Sequence, residues 1–295
     1  MKNIFIILNY NSFFKVKKIV KQLVRYKNVD ELVIIDNNSK EIDVEALREL
    51  KNKKITVFYR KINDGYARGN NYGVKKAMEL FGEKNIFFIV NPDIIVTDEA
   101  IKVTSSFILN NKDIAGVVAP TEESKKSAWK ATTPYTNMLF DGGFVGWLAT
   151  KFKLNNKLRF YLKEIEQNQE SIHVDVISGA FFGFYGPTFK LVGMFDNNTF
   201  LYYEEEILFI KLNRKGFKNY ILSDVSYMHT HDYSKNKNNV KTVKISNQSR
   251  KYLFQNYFHL NFFEKLLINL ANFDAIMLAG SRDIKNSLIK SKSDS

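Results

Sequence analysis

Hydrophobic positions along the chain switch between two periods. Residues 4–8 form an unbroken apolar run, whereas Val16, Ile19, Val20, Leu23 and Val24 recur at the three-and-four spacing of one helix face, predicting a helix over 13–25. The alternation then repeats. Strand-like runs at 32–35, 55–59, 86–90 and 115–119 are separated by helical patterns at 44–50, 72–81 and 99–109. Strands joined by helices of roughly ten residues imply right-handed crossovers and a mainly parallel sheet covered on both faces. The expected class is therefore α/β.

The period fails between 121 and 171, where Trp129, Pro134, Gly142, Gly143, Trp147 and several basic residues follow no regular spacing. This segment reads as a loop-and-helix insertion. Order returns with "VDVISGAFFGFYG" and with a helical pattern over 205–215, closed by Gly216 where a left-handed C-terminal residue belongs. From 252 to 279, Phe262, Phe263, Leu266, Leu267, Leu270, Phe273, Ile276 and Met277 fall on one helical face. The residues from Ser281 onward are polar and read as a disordered tail. The chain thus divides into a catalytic domain over 1–234 and a helical extension with its tail over 235–295, without internal repeats.

Composition narrows the class. Of 295 residues, 45% are hydrophobic and 14% aromatic, which suits a globular domain and excludes a disordered one. The absence of cysteine excludes disulfides and thiolate metal sites. The opening "MKNIFIILNYNS" reads as a first strand rather than a signal peptide, and no apolar run approaches a membrane span. A net charge of +13 calls for an anionic partner, although lysine-rich usage lessens its weight as a sign of nucleic acid.

The candidate chemistry sits just past the predicted strand ends. Asn9-Tyr10-Asn11-Ser12 follows the first strand, "DNNSK" from Asp36 the second, "NDGYARGNNYG" from Asn63 the third, and Asn91-Pro92-Asp93 the fourth. In open α/β sheets ligands bind outside the carboxyl ends of the strands, so four polar turns there suggest one pocket. Each has a plainer reading. Asp36 caps a turn or holds a base or ribose; the three glycines after Asn63 serve a tight turn and helix packing, or let backbone N–H groups and Arg68 approach a diphosphate. Asp93 caps a turn, or holds a metal against phosphate. In "YYEEEILFIKLNRKG" at least one of three acids, set among apolar residues, is expected to line a cleft and to suit a general base. His229 and His231, two apart, would share one strand face as metal or phosphate contacts.

Together with Ser178-Gly-Ala, Phe195-Asp, Tyr203-Glu-Glu and the late His-x-His, these stretches resemble the family 2 glycosyltransferases, especially their bacterial rhamnosyltransferase-like branch, over roughly 2–234. The resemblance implies a GT-A fold, an inverting mechanism, a nucleotide-diphosphate sugar donor and Mg2+ or Mn2+. It makes Asp36 the base or ribose contact, and puts Asn63, Gly65, Arg68 and Asn71 beside the donor's nucleotide and diphosphate. Asp93 becomes the metal acid, with His229 or His231 near metal or diphosphate, and Glu205 the catalytic base. With Asn9, Asn11, Asn38, Asn91, Gly179 and Glu204, these residues complete the expected donor site. Two positions depart from the family pattern: Asn91 replaces the first acid of Asp-x-Asp, and Ile207 replaces a second acid after the base.

The implied reaction moves rhamnose from a thymidine-diphosphate donor, or a UDP-linked hexose or N-acetylhexosamine, to a glycan or polyprenyl-linked acceptor of bacterial capsule or cell-wall synthesis. A nucleotidyltransferase would carry a glycine-rich basic loop after its first strand, and a nucleic-acid module would group basic and aromatic residues; neither pattern is present. The expected setting is cytoplasmic. The apolar face of the C-terminal helices then packs on the catalytic domain or a second copy, or docks at the inner face of an anionic plasma membrane.

Overall fold

The structure, a computed structural model, describes residues 1–141, 143–154, 158–167, 169–230 and 239–293. In chain order the first elements are β1 (Asn3–Asn9), α1 (Phe13–Leu23), β2 (Glu31–Asp36), α2 (Glu41–Arg48), β3 (Ile55–Tyr59), α3 (Tyr66–Phe81) and β4 (Ile86–Val90). There follow β5 (Ile94–Val96), α4 (Asp98–Asn110), β6 (Ala115–Glu122), β7 (Ala128–Trp129), α5 (Pro134–Asp141), α6 (Phe144–Lys151) and α7 (Leu162–Glu166). The chain continues through β8 (Ser171–Val174), β9 (Val176–Ile177), β10 (Phe181–Tyr185), α8 (Gly186–Leu191), α9 (Glu204–Asn213) and β11 (Lys218–His229). It closes with α10 (Val240–Tyr257) and α11 (Phe262–Ser293).

Chain contacts divide the protein into two compact units. The first comprises 1–130, 161–200 and 204–231; the second comprises 131–160, 201–203 and 232–295. The division departs from the expected boundary at 234, because most of the irregular insertion belongs with the C-terminal helices. Its first residues instead complete β6.

The first unit is built on a nine-stranded sheet in the order β3-β2-β1-β4-β10-β6-β11-β5, with β8 also paired to β11. β1 to β4 are parallel to one another, β10 runs against β4 and β6, and β11 returns parallel to β6. The sheet is buried on both sides. Side chains alternate across a strand, so Ile4 and Ile6 enter one core while Phe5 and Ile7 enter the other. β4 divides likewise, Phe87 and Ile89 against Phe88 and Val90. This is why these strands read as unbroken apolar runs. Phe5 stacks on Phe88 with centroids 4.6 Å apart, and Phe88 stacks on Phe181 in the next strand at 5.7 Å. Each such ring contributes roughly 1.5–3 kcal/mol through burial.

Helices cover both faces. α1 buries Phe13, Val16, Ile19, Val20 and Leu23, the stripe its spacing predicts. α3 starts at Tyr66 rather than 72, because "YARGNN" carries a helix pattern hidden by its glycine and asparagines. Gly69 and Gly73 let this first stretch lie on Leu8, Ile6 and Ile35 of the sheet. α9 ends before Gly216, whose φ of +84° is the left-handed terminator expected.

The second unit is organised around Arg250. This side chain is buried. Its guanidinium donates to the Tyr203 hydroxyl at 3.0 Å, to Asn272 Oδ1 at 3.1 Å and to the Asp141 carbonyl at 2.5 Å. Tyr203, with φ of +68°, is held there by a second bond from Asn137 Nδ2 at 3.1 Å. One expectation fails in this unit. Residues from Ser281 continue α11 to Ser293 instead of forming a disordered tail. Along α11 the buried residues are Ile268, Ala271, Ala275 and Ala279, while Phe262, Phe263, Leu266, Leu270, Phe273 and Met277 are exposed. Small residues let α11 lie close to its neighbours, as where the Asp274 carbonyl meets Gly143.

Candidate active site

The register of the parallel strands brings the polar turns to one edge. Asn9 pairs with Asp36 and Asp36 with Tyr59, so β1, β2 and β3 stop level with one another. β4 stops at Val90, beside Ile7, and the antiparallel β10 starts opposite it at Phe181. The Asn91 N–H donates to the Ala180 carbonyl at 2.8 Å, joining the loop after β4 to the residues before β10.

At this edge most amide and acid groups serve to stitch loops together. Asp36 is buried and accepts from Asn9 Nδ2 at 2.9 Å and from the Ser39 N–H at 3.0 Å. Asn9 Oδ1 accepts from the Ser12 hydroxyl, and Ser39 Oγ accepts from the Asn11 N–H. Asn11 and Asn38 occupy left-handed turn positions, φ +50° and +65°, where asparagine is tolerated. Asn11 Oδ1 accepts from the Lys40 N–H, while Asn38 is exposed. Asn63 Oδ1 accepts from Asn37 Nδ2 at 2.8 Å, and Asn71 clamps the Phe195 backbone from both amide atoms at 3.0 and 3.1 Å. Arg68 donates to the Asn197 carbonyl at 2.8 Å.

Gly65 is needed for close approach. Its φ is +98°, and a Cβ there would lie 2.1 Å from the Phe200 carbonyl oxygen, which accepts from the Tyr66 N–H. Together with Gly69 and Gly73 on the sheet, it serves close approach and helix packing.

Two clusters remain. The first surrounds Asp93. Beyond register shifts in β11, Tyr227 to His229 pair with β5, which returns His229 to the loop after β4. His229 Nε2 lies 3.1 Å from Asp93 Oδ1, Lys15 Nζ donates to Oδ2 at 2.9 Å, and Thr230 donates twice to the Asp93 carbonyl. Burial works to raise the Asp93 pKa, but hydrogen bonds and charge from His229 and Lys15 outweigh it and hold the carboxyl far below the ordinary range. His231 lies outside the described residues.

The second cluster surrounds Glu205. Its Oε1 accepts from the Gly179 N–H at 3.0 Å, while the Tyr66 hydroxyl donates to the Gly179 carbonyl at 2.6 Å. Burial pushes the Glu205 carboxyl up from its usual value, against the opposing pull of backbone N–H groups. The neighbouring acids are used differently: Glu206 accepts from Trp129 Nε1 at 2.9 Å, and Glu204 is buried at the start of α9. Ile207, in place of an acid, is fully buried.

Sequence reasoning passed over Lys15, Tyr66 and the Arg60–Asp64 pair. Tyr66 stood inside a quoted motif and could have been singled out, whereas nothing local distinguishes Lys15 from the other lysines of α1. Arg60 forks onto Asp64 at 2.5 and 2.9 Å and onto Asn37 at 2.6 Å, bracing the loop after β3.

A mixed sheet with its polar loops gathered at one carboxyl edge defines an α/β protein of the nucleotide-binding kind. The chain belongs to glycosyl transferase family 2, whose model matches residues 4–185. No curated protein sequence matches it. Among solved structures it is similar to GalNAc-T7 crystallised with UDP, GalNAc and Mn2+, with 14% identity and a TM-score of 0.61. That match covers 87% of this chain and 49% of the other, so the chain spans about half that protein's length. It is also similar to the mannosyltransferase PcManGT from Pyrobaculum calidifontis in complex with GDP-Man and Mn2+, at 13% identity and TM-score 0.58, covering 95% and 73% of the two chains. S. aureus TarS 1–349 follows at 16% identity and TM-score 0.52, covering 92% and 70%. The GT-A fold expected from the motifs is the fold these neighbours share.

Proposed function

We propose that the protein is an inverting glycosyltransferase that moves a sugar from a nucleoside-diphosphate donor to an acceptor hydroxyl. The observation that carries this reading is Glu205, a carboxylate raised by burial and aimed at Gly179, one residue from the Ala180 carbonyl that receives the Asn91 N–H. In that position Glu205 takes the proton of the attacking hydroxyl as the new bond forms at the anomeric carbon and the nucleoside diphosphate departs. Lys15 on α1 brings positive charge to the leaving group's side.

Among the described residues no cluster of three or more His, Asp or Glu could cage a metal ion. Asp93 and His229 nevertheless offer an oxygen and a nitrogen donor at one point, and diphosphate oxygens would complete a shell for Mg2+ or Mn2+. Such an ion would neutralise charge on the departing diphosphate. Asn91 leaves this site one carboxylate short of Asp-x-Asp, and Lys15 supplies a cation beside it.

Thymidine-diphosphate rhamnose is the donor favoured by the motif resemblance, with a glycan or polyprenyl-linked acceptor of bacterial capsule or cell-wall synthesis in the cytoplasm. A UDP-linked hexose or N-acetylhexosamine is the second reading, favoured by similarity to a protein crystallised with UDP and GalNAc. The test is turnover of a panel of nucleotide sugars, with and without Mn2+, by wild type and Glu205→Gln. The variant should keep donor binding and lose about a hundredfold or more in rate. Wild-type rates in Glu205→Gln, or the loss appearing in Glu204→Gln or Glu206→Gln instead, would remove the assignment.

A further inference from the structure

The second unit presents a surface that its own packing leaves uncovered. α11 buries one narrow stripe of mostly small residues, and on the opposite side Phe263, Leu266, Leu270, Phe273 and Met277 follow one another at spacings of three and four, with Ile284 two turns further on. Each is more than two-fifths exposed, Phe263 at 71% and Phe273 at 65%. α6 separately exposes Phe144 and Trp147, with Lys151 lying 5.4 Å over the Trp147 ring. Scattered surface hydrophobics are ordinary; five in an unbroken row along about four turns of helix are not.

Charge distinguishes the possible occupants. The second unit holds fifteen Lys and Arg against six Asp and Glu, a surplus of nine within a protein whose total is thirteen. Lys265 and Lys285 on α11, Lys151 and Lys153 at α6, and Lys244 and Lys251 on α10 are exposed. Two copies of so basic a unit repel one another when brought together. The three-and-four row would suit a second copy, but it loses its apolar character at Gly280 and Ser287, where a helical seam would need large side chains.

We propose that this face docks on an anionic membrane surface. The α11 row enters the boundary between headgroups and acyl chains, and the surrounding lysines engage the negative leaflet. Phe and Leu give depth, and basic residues give selectivity for charged lipid. The arrangement stands independently of the catalytic reading, because its test requires no donor.

The test is co-sedimentation of the full chain with vesicles of phosphatidylcholine alone or mixed with phosphatidylglycerol. Binding should require the anionic lipid and fall at least tenfold between 0.1 and 0.5 M NaCl, since screening shortens the reach of surface charge. Serine at Phe263, Leu270, Phe273 and Met277 together should abolish binding with wild-type helix content, these side chains being exposed. If that variant misfolds, Lys265→Glu with Lys285→Glu decides the matter by weakening binding severalfold. Absence of binding, equal binding to neutral vesicles, full binding by the charge-reversed variant, or a serine variant that merely turns a dimer into a monomer would each overturn the proposal.

Discussion

Replacing Gly179 by alanine tests the Glu205 site without touching an ionisable group. A Cβ at this position would stand 2.6 Å from Glu205 Oε1 and 2.7 Å from the Tyr66 hydroxyl, where ordinary contact begins at 3.4 Å. The carboxylate must therefore withdraw by about 0.8 Å, taking it out of line with the Gly179 N–H now 3.0 Å away. Overpacking of this kind costs about 1–3 kcal/mol of stability. A displacement near 1 Å in a reacting group lowers a rate on the order of a hundredfold. The expected outcome is a folded variant with slightly lowered Tm and a kcat reduced by about two decades. Steady-state kinetics on whichever nucleotide sugar the wild type turns over, beside a thermal melt, reads both quantities. A Gly179→Ala protein with kcat within about twofold of wild type would show that the Glu205 carboxylate does not act from its position on the Gly179 amide.

Four further outcomes are expected. Asp93→Asn should abolish metal-stimulated turnover and weaken Mn2+-dependent donor binding measured by calorimetry; unchanged stimulation would free Asp93 from that role. Because Asp93 titrates far below the ordinary value, the stability it gains from Lys15 and His229 is complete above about pH 4 and is lost as pH falls toward its lowered value. The gap in unfolding free energy between wild type and Asp93→Asn should narrow over that range in denaturant titrations, and a constant gap would contradict the pairing. Burial keeps Glu205 protonated to a higher pH than its usual 4.5, so the acid limb of kcat/KM should lie above that value and disappear in the residual activity of Glu205→Gln. Gly65→Ala forces a methyl group to 2.1 Å from a backbone oxygen at a left-handed φ, and should lower stability by at least about 1–3 kcal/mol. An unchanged Tm would contradict the close approach at Phe200.

Much of the sheet was legible because its strands are buried on both faces. The run at Ile86–Val90 has the same bounds in sequence and structure, and the stripe of α1 reads correctly because one face alone is covered. α11 left its partner open for a related reason. Periodicity marks a face as apolar but does not say which face is covered, and the alanines that pack are weak signals beside phenylalanine. At the site, chemical type was readable and partnership was not. Asn9, Asp36 and Asn71 have the chemistry of ligand contacts, and part of their hydrogen bonding reaches partners 27 and 124 residues distant, which no local motif reveals. Lys15 could not be found at all, because its neighbour Asp93 is 78 residues away.

The pair formed by Asp93 and His229 spans 136 residues of sequence. Contacts of such separation form late, since the loop between them must close before any bond rewards it. During synthesis the strands β1 to β4 emerge first and can order themselves while β11 has yet to leave the ribosome. A nascent chain stopped short of β11 would carry Asp93 with Lys15 as its partner and no imidazole. The contact between Asp93 and His229 is thus completed only after the parallel strands have been made.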